Sequence, residues 1–206
     1  MNRVYVTAIV EDVPQEEYSR YLPPMKARRM GRLLKRALVT ALKAMEVSGI
    51  EKPDAILNGT AMGCMEHTLQ LLNALATEGE SASMPTAFMQ STHNTEASQI
   101  AIFTGNHGYN TTYAHRTVSF ELALQDAFLR LRAGLVRNAL VCANDELTDL
   151  QRQQPGFFGQ LQVQDRSMVW VLSSDPGDHP LYELENVRII HQKGAEDRAK
   201  IIKKPL

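Results

Sequence analysis

The sequence predicts an α/β fold: a mostly parallel, mixed sheet with helices on both faces. Three observations carry this. Short β-branched or apolar runs alternate with segments whose apolar residues recur every three or four positions. Helical segments separate the early strands, and parallel neighbours need connections of that length. The last two apolar runs follow one another without a helix between them, which places an antiparallel edge on the sheet.

Val4 to Val10 is rich in β-branched residues and reads as the first strand. Residues 11–28 are polar and contain three prolines, so they read as a loop. Met30, Leu33, Leu34, Ala37, Leu38, Ala41, Leu42 and Met45 then mark one face of a helix, and Gly49 is its natural stop. Ala55 to Leu57 begins a buried strand that runs into Gly59-Thr60-Ala61-Met62-Gly63. Met65, Leu69, Leu72 and Leu75 mark a second helix, ending near Gly79. Pro85 opens another element. Ser91 to Asn94 offers capping chemistry before Ala97, Ile100, Ala101 and Phe103. Asn110 to Ala114 reads as a strand, Val118 to Arg132 as a helix, and Ala139 to Ala143 as a strand. A polar loop with Pro155 and Gly156 follows, then strands at Met168–Leu172 and Leu181–Ile190. Residues 1–192 read as one domain, and 193–206 as a basic, partly frayed tail.

The chain has 206 residues, enough for one domain with a real core. Hydrophobic residues make up 44% and charged residues 22%, and the net charge is −1. That balance points neither to nucleic acid nor to a membrane surface. No run approaches the ~20 apolar residues of a membrane span, and no signal segment opens the chain. Cys64 and Cys142 are too few for a disulfide framework, which fits reduced thiols in a cytoplasmic protein. His67, His93, His107 and His115 lack metal-ligand spacing, so neither a metal nor a cofactor is expected.

Four stretches carry a family likeness. Arg29-Met30-Gly31-Arg32, continued through Ala37 to Gly49, is similar to an "R-M-D-R…A-L…S-G" helix. Asp54 to Gly63 is similar to a strand ending in "G-T-G-x-G". Pro85 to Gly108 places Asn94 and Ala97 on "N-x-x-A-G-x-I-A". Gly108 to Glu146 follows a turn, long helix and strand end without a gap. Together they resemble the N-terminal half of β-ketoacyl synthases. The resemblance implies a thiolase-like half-domain with a five-stranded sheet. Phe88 to Thr95 and Tyr113 to Arg116 further resemble a divergent, chain-length-factor-like subgroup found with aryl polyene and flexirubin-type pigment pathways.

The departures decide the chemistry. The nucleophilic cysteine of the family falls on Thr117, preceded by His115-Arg116, while Ser119 keeps the family's serine. The C-terminal motifs that bring the family's two histidines and lysine are not in the sequence. A threonine hydroxyl needs a positioned base. His115 is one candidate; the simpler reading makes Thr117 a helix cap and lets His115 bond a backbone group. The resemblance therefore implies a non-catalytic accessory subunit that binds an acyl chain, an acyl carrier protein or a partner synthase. The alternative is an acyltransferase or thioester hydrolase using Thr117, Ser119 or Cys64 with His115. Phe88, Gln90, His93, Asn94 and His115 are the candidate binding residues. Arg28, Arg29 and Arg32 are the candidate dock for an acidic carrier protein. A homodimer, or a heterodimer with a catalytic ketosynthase, is expected through the strand at 110–114. In full-length relatives two central helices pack together, so the helix at 118–132 is expected to present an apolar layer for a partner.

Overall fold

The computed structural model describes residues 1–81, 83–154, 164–191 and 193–206. Strand β1 (Tyr5–Glu11) is followed by two short helical turns, α1 (Tyr18–Tyr21) and α2 (Pro24–Ala27), within the segment expected to be loop. Then come α3 (Arg32–Ser48), β2 (Ala55–Gly59), α4 (Met65–Glu78), α5 (Pro85–Gln90) and α6 (Thr95–Thr104). The chain continues with β3 (Tyr109–Tyr113), α7 (Ser119–Arg132), β4 (Asn138–Asp145) and α8 (Asp149–Gln153). It ends with β5 (Arg166–Ser173), β6 (Tyr182–Ile190) and β7 (Arg198–Lys204). The polar loop expected around Pro155 and Gly156 lies outside the described residues.

The strands form one sheet in the order β3-β2-β4-β5-β1-β6-β7. Strand β2 is parallel to β3 and β4, and β5 lies antiparallel between β4 and β1. Strands β1 to β4 therefore run one way and β5 the other, the mixed and mostly parallel arrangement read from the pattern. The described sheet has seven strands rather than five. Strands β6 and β7 extend it, and residues 198–204, expected as a frayed basic tail, are the seventh strand. The Lys and Arg residues hid the pattern. Ile201 packs on the core, while the Lys203 ammonium lies 4.8 Å from the Trp170 ring centroid and 4.4 Å from that of Tyr182.

Two cores sit on opposite faces of the sheet. Leu38, Ala41 and Met45 of α3 and Ala97 and Ile100 of α6 cover one face, against Ile56, Leu140 and Val171. Helix α3 buries one side because its apolar residues share a face, and it ends where Gly49 adopts φ 69° and its N–H returns to the Met45 and Glu46 carbonyls. Helix α7 covers the other face with Phe120, Ala123, Leu124, Ala127, Phe128 and Leu131.

Helix α7 does not present the expected open apolar layer. The hairpin β6–β7 curls over it instead. Strand β6 pairs with β1 at only two positions, Tyr5↔Glu183 and Val6↔Tyr182, and then packs against α7. Leu184 and Val187 are buried there, and Gln125 of α7 donates through Nε2 to the Val187 carbonyl at 2.9 Å. That bond gives one polar residue of α7 a partner on the hairpin. Truncating Leu184 to Ala should cost ~2–5 kcal/mol in urea denaturation. Truncating the half-exposed Leu181 should change stability by less than about 0.5 kcal/mol.

Candidate functional site

The turn between β3 and α7 holds the position where the resemblance places the nucleophile. Tyr113 ends β3, and Arg116–Val118 form a 3-10 turn before α7. Arg116 sits at φ 40°, a strained value for a residue with a side chain. The Ser119 hydroxyl closes the turn: its Oγ accepts from the His115 backbone N–H at 2.8 Å and donates to the Arg116 carbonyl at 3.1 Å. Ser119, rather than Thr117, therefore supplies the side-chain tie. Thr117 is partly buried and its hydroxyl bonds no described residue. Gly59 ends β2 against this turn, where a Cβ would meet the Phe120 backbone at 2.5 Å, so only glycine lets strand and helix come so close.

The His115 ring turns toward Asp197. Its Nε2 is 3.4 Å from Asp197 Oδ2, and Asp197 Oδ1 is 2.6 Å from His191 Nδ1. No hydrogen bond joins the His115 ring to Thr117 or Ser119 among the described residues. The base–nucleophile contact that a hydroxyl needs is not made in this geometry. Cys64 is no better placed. Its thiol is buried and 3.5 Å from Glu96 Oε1. Burial, with the Glu96 and Glu146 charges added, pushes its pKa far up, so the thiolate is disfavoured. Burial also raises the Cys142 thiol, to about 12.

The loop after β2 is held by three carboxylates that the sequence reading missed. Asp145 Oδ1 accepts from the Thr60 hydroxyl at 2.8 Å and from the Ala61 and Met62 N–H groups at 2.9 and 3.1 Å. Glu146 accepts from the Glu66 N–H at 2.9 Å, and Glu96 faces Cys64. Glu96 is fully buried, and one of its oxygens has no partner. Its signal was in the sequence: it lies four residues before Ile100, on the apolar face of α6.

The remaining candidates fall on other surfaces. Phe88 is exposed on α5, and Gln90 donates through Nε2 to the Arg29 carbonyl at 2.9 Å. Exposed His93 lies beside Gly63, and Asn94 donates to Ser98 Oγ at 3.2 Å. These four share the α5–α6 corner; no bond joins them to His115 among the described residues. Arg28, Arg29 and Arg32 line a cleft of about 660 Å³ together with Lys35 and Arg36. Arg32 and Arg36 are already paired with Asp165, at 3.2 and 2.9 Å. Arg28, Arg29 and Lys35 carry no ion pair among the described residues. Nor is any described cluster of His, Cys, Asp or Glu arranged to hold a metal ion. No described helix is long and apolar enough to cross a membrane.

The fold is that of a ketosynthase-like domain. Residues 7–197 match the model of the β-ketoacyl synthase N-terminal domain, and the chain belongs to that family. No curated protein matches in sequence. Solved structures share the fold. A type II PKS acyl carrier protein in complex with its ketosynthase bound to the hexaketide gives a TM-score of 0.78 at 14% identity, covering 92% of this chain and 69% of that one. The ishigamide ketosynthase/chain length factor gives 0.74 at 17%, covering 91% and 67%. A ketosynthase in complex with its chain length factor from Xenorhabdus doucetiae gives 0.66 at 21%, covering 95% and 85%.

Burial, reinforced by Asp145 and Glu146, raises the Glu96 carboxyl from 4.5 to about 8. The folded chain thus holds this proton more tightly than the unfolded chain. Its contribution to stability is full below about pH 4.5 and is lost as pH rises toward about 8. Glu96→Gln, which mimics the protonated form, should flatten that part of the melting-temperature profile. It should match the wild type near about pH 4.5 and exceed it at about pH 8.5.

Proposed function

We propose that this chain is a cytoplasmic, non-catalytic, chain-length-factor-like subunit that pairs with a catalytic ketosynthase in fatty-acyl or aryl polyene synthesis. The observation that carries the proposal is the geometry of the β3–α7 turn: at the position to which the resemblance assigns the nucleophile stands Thr117, and the His115 ring faces the Asp197 carboxylate instead of the Thr117 hydroxyl. The solved ketosynthase–chain length factor pair supports the reading, because this chain spans 85% of the matched chain.

The pairing edge is β3. Among the described residues it is the outer strand of the sheet, bonded to β2 alone. The Tyr109 N–H donates to the Asp54 carbonyl and the Thr60 N–H donates to the Tyr113 carbonyl. Backbone groups of alternate residues point to opposite edges, so those of Asn110 and Thr112 face outward, ready for another strand. The edge strand Tyr-Asn-Thr-Thr-Tyr has aromatic or β-branched residues at four of its five positions, types that make favourable cross-strand pairs. Phe88, Gln90, His93 and Asn94 would then help wall the acyl chamber of the pair, and Arg28, Arg29 and Lys35 would meet an acidic carrier protein.

Thr112→Pro removes one outward N–H and leaves the β2 bonds in place. Co-expressed with a catalytic ketosynthase and measured by analytical ultracentrifugation, it should weaken association at least about tenfold with little change in melting temperature. Unchanged association would contradict pairing through β3, and association with a second copy of itself alone would make the chain a homodimer. Arg28→Glu with Arg29→Glu should weaken carrier-protein binding while leaving ketosynthase pairing intact.

A further inference from the structure

We propose that hairpin β6–β7 is a strap drawn across α7 and fastened over the β3–α7 turn, with the Asp197 carboxylate held between His115 and His191 as its clasp. This goes beyond the accessory reading, because it concerns how the turn is closed whether or not the chain pairs with a ketosynthase.

The strap is anchored at one end and crosses the helix. It leaves β1 after two paired positions, and Leu184 and Val187 are buried beneath it. Gln125 ties its middle to α7 through the Val187 carbonyl. Its return strand, β7, packs against the 3-10 turn Arg116–Val118. Asp197 stands at the start of that return strand. Its side chain is only 14% exposed, although the two histidines on either side are 50% and 79% exposed. One oxygen meets the ring at the end of β6, and the other meets the ring that opens the nucleophile turn. The clasp thus joins three segments distant in sequence: the turn before α7, the end of β6 and the start of β7.

The division of labour follows from burial. The apolar middle of the strap is the stable part. The clasp is a pair of contacts to largely exposed rings, and such contacts are individually weak. An end held that way opens locally without unfolding the sheet. When closed, it lies against the turn where an acyl thioester would have to reach Thr117.

The test places a reporter under the strap. Thr117→Cys is tolerated because the threonine hydroxyl bonds no described residue. Alkylation by a maleimide is followed by intact mass, with the buried Cys64 and Cys142 as internal controls for global opening. Adding Asp197→Ala should speed labelling at position 117 about tenfold while both native cysteines stay protected. His115→Ala should give the same acceleration, and the two changes together should add nothing further. Labelling at position 117 that stays within about twofold in both variants would overturn the proposal. So would equal acceleration at Cys64 and Cys142, which would mean that the whole chain opens rather than the strap.

Discussion

Helix α7 carries one broad apolar face, and covering the whole of that face is the constraint on which the rest of the structure depends. Phe120, Ala123, Leu124, Ala127, Phe128 and Leu131 are buried. Strands β2 and β4 pack against part of that face. Strand β6, which continues the sheet past β1, packs against it as well, with Ile201 of β7 against the same core. Trp170 links the layers, edge-on to Phe120 at 5.4 Å and to Tyr182 at 6.1 Å between centroids. The hairpin also brings Asp197 to the nucleophile turn.

Much of this was legible in the sequence, for physical reasons that differ by element. Helix α3 was clear because one apolar stripe runs its length and Gly49 stops it. The direction of β1 to β4 followed from the helices between them. Strand β7 was hidden because its exposed positions are Lys and Arg, which read as a solvated tail until β6 is there to pair with them. The open edge of β3 was expected and lies at the rim of the sheet. Asp197 gave no signal, since its meaning depends on a hairpin that brings residues 115, 191 and 197 together.

The β3–α7 turn is fixed by packing and by one hydroxyl. Gly59 yields to the first turn of α7, and Ser119 ties the backbone of residues 115 and 116. Among the described residues no base meets the Thr117 hydroxyl, the His115 ring faces Asp197, and Cys64 is a buried thiol facing Glu96. Three carboxylates meanwhile hold the Thr60–Glu66 loop, an arrangement that serves architecture and works against any nearby anionic nucleophile.

The most direct measurement is intact mass after incubation with acyl carrier protein and with acyl-CoA thioesters of several chain lengths. The account predicts a folded chain that carries no covalent acyl group with any donor. A stable adduct mapped to Thr117, Ser119 or Cys64 would contradict it and make the chain an acyl-transfer enzyme.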